Sequence, residues 1–467
     1  MRKASLLGLL LSVILNVSVN GQEKTHEVII IGAGLSGLTS AYYLKTNNVL
    51  ILERKAQAGG RIIDGQWNGF HYPKGTEYMG KPEGVLKQLI TDLDLDVIQI
   101  PPPTDGIGYK GTIYTKAGIL DFLPTKKDRN QFKALQRKLS KLDKATEGVL
   151  WEGEDIDTYS TLDDVSVAQW LSENQIHPLI QRYIEIENLG LFSANNEELS
   201  ILYNANEMAY NLPSPKDFWE SEVFTFENGM VDLSNALSEK LEAKIKYGTE
   251  VISVNQQPDG SMQVIARSQG EKKVYKAKKV ICTTPAPIAK KILANSISTR
   301  ALEQLGKVDY GQYITINIFT EKRWLKEAWT VSCLDNYFTS IYDVTRTQTT
   351  EDYNGKSIIS AYIPSTTAKD KTFILQSDED VLQKTLKDME HYFPGISKSV
   401  LGFDVQRFNY AYPVFGLGYY SLLQKLENDS SLNKTIFLTG DYMKYAVVDG
   451  AILSGYITAQ KVNKLLR

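Results

Sequence analysis

The pattern of apolar and polar positions changes along the chain. Residues 28–31 form a continuous apolar run, which is typical of a strand buried on both faces of a parallel sheet. Residues 81–221 repeat apolar side chains at intervals of three and four, as amphipathic helices do. Residues 301–429 alternate apolar and polar side chains, as strands do. The sequence therefore predicts one part built on a parallel sheet and a second part that mixes helices with a sheet.

A second strand and helix pattern lies close to the C-terminus. There an apolar run leads into Gly440 and Asp441, and a helix-like stretch rich in small residues follows. The chain thus repeats near its end the order of strand, turn and helix with which it begins.

The glycine-rich turn after the first strand predicts a dinucleotide site. Gly32, Gly34 and Gly37 occupy G-x-G-x-x-G, which allows a tight turn, the approach of a pyrophosphate and close packing of the helix. A second apolar strand ends at Glu53, whose carboxylate is placed to accept hydrogen bonds from ribose hydroxyls. The helix that opens near Leu35 directs its N-terminal amides at phosphate. The alternative is a plain glycine turn, and the motif alone does not distinguish FAD from NAD.

Composition narrows the class of protein. With 467 residues, 42% of them hydrophobic and 23% charged, the chain is globular and is expected to form two domains. The net charge of -3 gives no electrostatic basis for binding nucleic acid. Cys282 and Cys333 form no metal-binding spacing and the four histidines are scattered, so no metal site is predicted. Both thiols are expected to be free and buried.

The first 21 residues predict an export signal. A positively charged start is followed by an apolar run, and Val19 and Gly21 supply small residues for cleavage before Gln22. The alternative is an uncleaved N-terminal membrane anchor, because the apolar run is only slightly shorter than a bilayer span. Either interpretation places the body of the protein outside the cytoplasm, in the periplasm or secreted.

The stretch after Glu53 resembles a known family. Its sequence ERKAQAGGRI places Arg54 directly after the strand and Gly59, Gly60 and Arg61 shortly afterwards. This order is similar to that of the flavin-containing amine oxidase superfamily, which includes monoamine oxidases, amino-acid oxidases, protoporphyrinogen oxidases and carotenoid desaturases. The segments FENGMVDLSNAL and KKVICTTPAPIAKKIL are similar to further blocks of that family.

The resemblance implies a fold. The fold class is α/β, with a Rossmann-like FAD-binding domain that contains a glutathione-reductase-type parallel sheet and with an inserted α+β substrate domain. The FAD-binding domain is expected to comprise residues 24–80, 222–300 and 430–467. The substrate domain is expected to comprise residues 81–221 and 301–429.

The resemblance also implies contacts with FAD. Arg61 is expected to contact the diphosphate or the flavin edge, and Val251 to place its backbone against adenine. Gly440 and Asp441 are expected to meet the ribityl chain. The amides around Val448 are expected to face the flavin's pyrimidine oxygen, where a helix N-terminus stabilises the anionic reduced ring. Together with the motif residues, the predicted FAD contacts are Gly32, Gly34, Ser36, Gly37, Glu53, Arg54, Gly60, Arg61, Val251, Gly440, Asp441 and Val448.

An aromatic pocket is predicted for the substrate. The chain has 26 tyrosines, and several stand where members of the family line the flavin. Such rings exclude water and orient an apolar or cationic molecule. The alternative for any one ring is an ordinary half-buried strand position. The candidate pocket residues are Trp324, Tyr412, Phe415, Tyr419 and Tyr445.

Departures from the family pattern restrict the prediction of a substrate. Many amine oxidases carry a lysine on the strand beside the flavin, whereas the corresponding positions here are Tyr313, Ile314 and Thr315. Val447 stands where monoamine oxidases have a tyrosine. No cysteine follows Pro413, where covalently flavinylated members have one, so FAD is expected to be non-covalent. The residues therefore do not single out an amine as the substrate.

The sequence predicts an exported FAD-dependent oxidoreductase that removes a hydride at a C–N or C–C bond of a small molecule. The reactive atom is flavin N5, and no catalytic side chain is assigned. A protoporphyrinogen oxidase or polyene desaturase-like enzyme is one alternative. An FAD-containing binding or maturation protein without turnover is another. The electron acceptor, O2 or another compound, and the oligomeric state are left open.

Overall fold

The computed structural model describes residues 25–147, 160–211, 221–348 and 354–466. The predicted export signal, residues 1–21, lies outside these ranges. Within them, no helix is both long enough and apolar enough to span a bilayer.

The described ranges contain strands and α-helices that short 3-10 helices join in several places. The strands are β1 (Thr25–Ile31), β2 (Val49–Leu52), β3 (Asp64–Trp67), β4 (Phe70–Pro73), β5 (Ile98–Gln99), β6 (Asp105–Tyr109), β7 (Thr112–Thr115), β8 (Phe224–Thr225), β9 (Ile245–Lys246), β10 (Thr249–Gln256), β11 (Met262–Ser268), β12 (Glu271–Cys282), β13 (Tyr310–Thr320), β14 (Thr330–Cys333), β15 (Ser340–Asp343), β16 (Ser357–Pro364), β17 (Val400–Pro413) and β18 (Ile436–Leu438). The helices are α1 (Leu35–Tyr43), α2 (Gly84–Asp92), α3 (Lys126–Glu147), α4 (Val167–Glu173), α5 (Pro178–Phe192), α6 (Ile201–Asn211), α7 (Val231–Lys240), α8 (Ala286–Ile292), α9 (Thr299–Leu305), α10 (Asp378–Tyr392), α11 (Tyr419–Glu427) and α12 (Val448–Leu465).

The first sheet has a parallel centre. Its order is β10-β11-β12-β1-β2-β9, and β18 also pairs with β12. The pairs β12–β1, β1–β2, β2–β9 and β12–β18 are parallel, whereas β10, β11 and β12 form antiparallel pairs. On β1, Val28 and Ile30 pack into one apolar core while Ile29 and Ile31 pack into another. Burial on both faces explains the continuous apolar run, as predicted.

The second sheet has the order β17-β13-β16-β15-β14-β6-β7. Its pairs are antiparallel except for β6–β14, which is parallel. Strand β13, which lies between β17 and β16, is buried at every position, although the alternating sequence indicated only half burial. Both faces of β13 are covered. On one face Ile316 packs into the core that includes α10. On the other face Thr315 and Asn317 donate hydrogen bonds to the carbonyls of Lys74 and Pro73. The chain therefore has the mixed α/β architecture that was predicted, while the proposed domain boundaries stay a prediction.

Helices from the two ends of the chain pack directly together. Ser36 Oγ on α1 donates a 2.9 Å hydrogen bond to the Ala451 carbonyl of α12, and Ser40 Oγ donates one of 3.1 Å to Gly455. A Cβ at Gly455 would lie 2.5 Å from the carbonyl oxygen of Ser36. The small residues near the C-terminus therefore bring α12 beside the glycine-rich turn.

Candidate cofactor and substrate site

The turn after β1 has the geometry that its glycines predict. Gly32 adopts a φ of +104°, which favours glycine, and a Cβ at Gly37 would lie 2.1 Å from the Gly32 carbonyl oxygen. Thr283 Oγ1, just beyond β12, donates a 2.8 Å hydrogen bond to the Ile31 carbonyl and holds the end of β1. The N-terminus of α1 therefore opens at the carboxyl edge of the parallel sheet, where dinucleotides bind.

A second glycine segment lies against this turn. The Gly59 amide donates a 2.9 Å hydrogen bond to the Ala33 carbonyl. Gly60 has a φ of +66°, and a Cβ there would lie 3.3 Å from Gly34 Cα. The two backbones face each other without side chains between them. This leaves peptide groups that no side chain covers at a helix N-terminus, which suit a pyrophosphate.

Glu53 is positioned by backbone amides at the end of β2. Its Oε2 accepts a 2.7 Å hydrogen bond from the Ala33 amide, and its Oε1 accepts one of 2.8 Å from the Lys55 amide. An ionised carboxylate has about four acceptor positions, so capacity remains for ribose hydroxyls. Of the other predicted contacts, Val251 is buried on β10, whereas Arg54 is exposed on the loop after Glu53.

Arg61 joins the glycine segment to the C-terminal strand and to the second sheet. Its Nη1 lies 2.7 Å from Asp441 Oδ2 and donates a 2.5 Å hydrogen bond to the Ala411 carbonyl of β17. Burial disfavours the charge on Arg61, but the Asp441 carboxylate outweighs this effect and raises the guanidinium's pKa above its usual value. The Asp441 carboxylate also accepts a 3.0 Å hydrogen bond from the Tyr442 amide.

Two features beside Asp441 leave polar groups available to a ligand. The Tyr442 hydroxyl is buried and has no hydrogen-bond partner among the described residues, although buried hydroxyls normally find one. The ring of Tyr442 packs under Gly440, where a Cβ would lie 2.9 Å from Tyr442 Cε1. Helix α12 begins at Val448, and Val447 before it provides no side-chain cap for its first amides. The bare glycine backbones, the Glu53 carboxylate, the unpaired hydroxyl and the uncapped helix together fit FAD.

An aromatic cluster, defined as Tyr78, Tyr313, Trp329, Tyr342, Tyr362 and Tyr412, extends from Arg61 across the second sheet. Tyr412 follows Ala411, whose carbonyl binds Arg61, and the ring of Tyr412 lies 5.8 Å from that of Tyr313. The ring of Tyr362 lies 5.9 Å from Tyr313 and 4.5 Å from Tyr342. Tyr412 was predicted, and the other members were missed because strand pairing brings them together.

Three other predicted substrate residues form a separate, tightly packed group. The ring of Phe415 lies 4.4 Å from Tyr419 and 5.7 Å from Tyr445. The Tyr419 hydroxyl donates to the Tyr442 carbonyl at 2.8 Å, and the Tyr445 hydroxyl donates to the Tyr203 carbonyl at 2.9 Å. These rings pack together in the apolar core, and the hydroxyls of Tyr419 and Tyr445 already have partners.

The assignment of Trp324 to the pocket disagrees with the structure. Trp324 lies after β13, and its indole packs in the core on the other face of the second sheet, with Phe393 nearby. Its Nε1 donates a 2.7 Å hydrogen bond to Ser399 Oγ. The sequence pattern could not tell on which face of the sheet the loop after β13 would place this ring.

Three carboxyl groups lie around the aromatic cluster, and of these residues Glu77 is buried whereas Glu187 and Glu207 are half-buried. Burial raises the pKa of Glu77 to about 8; a hydrogen bond from Tyr362 opposes this shift, and the Asp343 carboxylate adds to it. Burial raises the pKa of Glu187 to about 7, against a hydrogen bond with Ser332. Burial and then the neighbouring Asp449 carboxylate raise the pKa of Glu207 to about 7.

The Glu187 carboxylate helps to raise the pKa of Glu207. Burial raises the pKa of Tyr412, the Arg61 guanidinium opposes this rise, and the Glu207 carboxylate adds to it. These carboxyl groups therefore share one electrostatic environment. No residue pattern in the sequence pointed to them.

The cysteines and the metal-binding residue types give no sign of a metal centre. In the part of the chain that the structure describes, no three His, Cys, Asp or Glu side chains form a group able to hold a metal ion. Cys282 and Cys333 are free and buried, as predicted.

The fold and sequence match known proteins along nearly the whole chain. The structure superposes on putrescine oxidase with bound putrescine, with a TM-score of 0.78 and 19% identity over 95% of this chain and 100% of that one. Protoporphyrinogen oxidase 1 of Arabidopsis thaliana is 23% identical over 96% of this chain and 89% of its own length. The probable flavin-containing monoamine oxidase A of Dictyostelium discoideum is 24% identical over 67% of this chain and 69% of its own length.

The sequence profile described as flavin containing amine oxidoreductase matches residues 35–463. This range begins in α1 and ends in α12, so it includes the second sheet, the first sheet apart from β1, and the contact between Arg61 and Asp441. The chain belongs to the flavin-containing amine oxidoreductase family, and it is an FAD-dependent oxidoreductase.

Proposed function

We propose that the protein oxidises an amine by removing a hydride from the carbon that bears the nitrogen. The observation that supports this proposal is the set of three carboxyl groups, those of Glu77, Glu187 and Glu207, beside an aromatic cluster. Carboxyl groups form hydrogen bonds with amino groups, and aromatic faces attract ammonium groups. The names of relatives that act on amines, the monoamine oxidase and the putrescine oxidase, agree with this choice.

The same surroundings disfavour the other substrate classes of the family. A porphyrinogen carries carboxylate side chains, which would need cationic partners where the cluster has carboxyl groups. Arg61, the cation beside Tyr412, is already paired with Asp441 at 2.7 Å. A polyene has no polar group that could pair with these carboxyl groups.

Each group of the site has a role in this reaction. Bound FAD supplies the hydride acceptor. The rings of Tyr412 and Tyr313 exclude water and orient the substrate carbon. The apolar environment favours the neutral amine, which is the form that gives up a hydride, because burial disfavours an unpaired charge. Arg61 and the amides at the start of α12 would stabilise the negative charge that develops on the cofactor.

A protoporphyrinogen oxidase is the second candidate. The relative in Arabidopsis thaliana, whose match covers 96% of this chain, supports it. The two candidates differ in the charge of the substrate, so one experiment separates them.

The test is anaerobic mixing of the purified holoenzyme with alkylamines, amino acids or porphyrinogens while flavin absorbance is followed. The proposal expects bleaching of the oxidised flavin by amines and none by porphyrinogens. Bleaching by porphyrinogens alone would replace the first candidate with the second. Flavin that no compound reduces would contradict both and would favour a binding role.

We also propose that the protein works outside the cytoplasm with O2 as electron acceptor. The charged start, the apolar run and the small residues before Gln22 support export. Mass spectrometry of protein recovered from the extracytoplasmic fraction should give an N-terminus at Gln22, whereas an intact Met1 in a membrane fraction would indicate an anchor. Reoxidation of the reduced enzyme by air-saturated buffer within the turnover time would support O2.

A further inference from the structure

Helix α3 carries a line of basic side chains along one side. Each residue of an α-helix turns the chain by about 100° and advances it by about 1.5 Å. Five cations of α3 therefore fall within about 80° of the helix circumference and span about 27 Å of its length. All five are exposed. They are called here the α3 basic stripe and are Lys126, Lys133, Arg137, Lys141 and Lys144.

The stripe is not neutralised by acidic side chains of its own helix. Asp128 accepts a 2.6 Å hydrogen bond from Thr125 Oγ1, and Asp143 accepts one of 2.7 Å from Asn206. The spacing of both acids places them outside the stripe on the helix circumference. Within the described ranges, none of the five cations forms an ion pair. The positive charge of the stripe is therefore available to a partner.

The placement of these charges works against the stability of the helix. Lys133 and Arg137 are four residues apart, as are Arg137 and Lys141, and like charges repel at this spacing. Lys126 lies in the first turn, where the helix dipole disfavours a cation. A polyanion that lies along the stripe would offset both effects.

The stripe is narrow, because carboxylates border it on both sides. On one side Arg129 lies 3.5 Å from Asp121, which is exposed. On the other side Lys138 donates a 2.9 Å hydrogen bond to Asn174, and the neighbouring Glu173 is exposed. The whole chain has a net charge of -3 and would carry -8 without the five cations of the stripe. A bilayer or a nucleic acid duplex would meet these carboxylates, whereas a single anionic chain would lie between them.

The exposed side of α3 offers charge but no apolar anchor. Among its described side chains the exposed ones are polar apart from Ala145, whereas Phe132, Leu135 and Leu139 are buried in the core. A helix that inserts into a bilayer presents large apolar side chains beside its cations. Peptides commonly bind through apolar pockets or a strand edge. The stripe therefore suits a ligand that is recognised by repeated anionic groups alone.

We propose that the α3 basic stripe binds a linear acidic polysaccharide, whose sulfate or carboxylate groups lie along the helix. Ion pairs and the release of counterions hold such a complex, so it weakens as the salt concentration rises. Outside the cytoplasm, where we propose that the protein works, this contact would keep the enzyme at a surface coated with the polymer. The site does not depend on which substrate the flavin oxidises.

The test measures binding of the full-length holoenzyme to heparin, a linear sulfated polysaccharide, at several salt concentrations. The native protein should bind heparin, and its affinity should fall steeply with salt. The stripe variant combines Lys133→Gln, Lys141→Gln and Lys144→Gln. It should bind heparin about tenfold or more weakly and with a shallower salt dependence, because fewer cations are neutralised.

The matched control combines Lys87→Gln, Lys240→Gln and Lys387→Gln. It removes the same charge from exposed lysines on α2, α7 and α10, away from the stripe. Its affinity for heparin should change less than about twofold, because exposed charges farther away than the Debye length are screened. Flavin content should be the same in the native protein and both variants, which checks that each is folded.

Equal heparin affinity in the native protein and the stripe variant, or an equal loss in the control, would overturn the inference. Duplex DNA, vesicles that contain phosphatidylglycerol and polyglutamate are measured at the same salt concentration. Tighter binding of one of these than of heparin would replace the polysaccharide with a nucleic acid, a membrane or an acidic peptide. If the stripe variant does not fold, Arg137→Gln alone should weaken heparin binding about twofold or more. Unchanged affinity in that variant would also contradict the inference.

Discussion

Arg61 Nη1 lies 2.7 Å from Asp441 Oδ2, so an ion pair connects the glycine segment after β2 with the end of β18. The same guanidinium reaches the Ala411 carbonyl of β17, in the second sheet. Three distant parts of the chain therefore meet at one side chain. A cofactor that lies along the carboxyl edge of the first sheet would pass this point before it reaches the aromatic cluster.

Arg61→Ala should weaken FAD binding about ten- to hundredfold, because it removes charge-assisted hydrogen bonds and leaves Asp441 unpaired. Fluorescence titration of the apoprotein with FAD measures the change. The matched control is Arg129→Ala. Arg129 also lies near a carboxylate, Asp121 at 3.5 Å, donates to the Leu123 carbonyl and has similar exposure, 34% against 36%. Equal FAD affinity in the two variants would contradict the role of Arg61.

Gly60→Ala should lose flavin, because its Cβ would enter the gap 3.3 Å from Gly34 Cα and cover the peptide groups offered to the pyrophosphate. Its φ of +66° adds backbone strain of about 1–2 kcal/mol. Gly248→Ala separates the two effects, since Gly248 has a φ of +60° and open space around the new Cβ. Both variants should unfold at similar lower denaturant concentrations, but only Gly60→Ala should purify with less flavin per chain. Similar flavin contents would mean that the gap is not the pyrophosphate site.

The buried Tyr442 hydroxyl has no hydrogen-bond partner among the described residues and is available to FAD. Tyr442→Phe should therefore raise the Kd for FAD about fivefold, because one hydrogen bond contributes about 1 kcal/mol. Tyr43→Phe is the control. The Tyr43 hydroxyl is also buried without a partner in the described ranges, but it lies at the far end of α1 from the glycine turn. A shift of the flavin absorption spectrum in Tyr442→Phe alone would be a second sign. An unchanged Kd would leave the Tyr442 hydroxyl without a role in binding.

The free energy of unfolding should fall as the pH rises from about 5 to 8. In this range Glu77, Glu187 and Glu207 keep protons in the native state, because burial raises their pKa values to about 7 or 8, whereas the unfolded chain has already lost them. The native state thus binds more protons, and the slope of stability against pH is negative. Urea unfolding of the holoprotein at several pH values measures it.

Glu187→Gln should reduce this loss of stability by about 1–3 kcal/mol between the two ends of the range, since each pKa unit corresponds to about 1.4 kcal/mol. Asp259→Asn is the control, because a hydrogen bond from Lys276 holds the pKa of Asp259 below its usual value and keeps it ionised throughout. A variant slope equal to that of the native protein would show that Glu187 is not protonated in the folded state.

Short-range features of the site were visible in the sequence. Gly32, Gly34 and Gly37 act through the local backbone, and Glu53 stands at the end of an apolar run, so residue type and spacing were sufficient to place them. Asp441 was placed by its resemblance to the family's second strand and turn near the C-terminus. The predicted thiol burial was also confirmed for Cys282 and Cys333.

The substrate end was much less predictable. Trp324 was assigned to the pocket but packs on the opposite face of the second sheet. Tyr313, Tyr342 and Tyr362 sit on three different strands, and only the pairing of β13, β16 and β15 places their rings together. Glu77 showed no motif at all, because its raised pKa arises from the side chains that bury it rather than from its neighbours in the chain.

The sequence by itself determined the cofactor class and the parallel sheet that carries it. Each of these features depends on a few consecutive residues: a turn whose positive φ favours glycine, a strand that must be apolar on both faces, and a carboxylate at the end of the next strand. Only the tertiary structure decided that Arg61 pairs with Asp441, which rings line the site and that carboxyl groups with raised pKa values lie around them. These relationships depend on strand register, helix packing and desolvation, which bring together residues that are far apart in the chain.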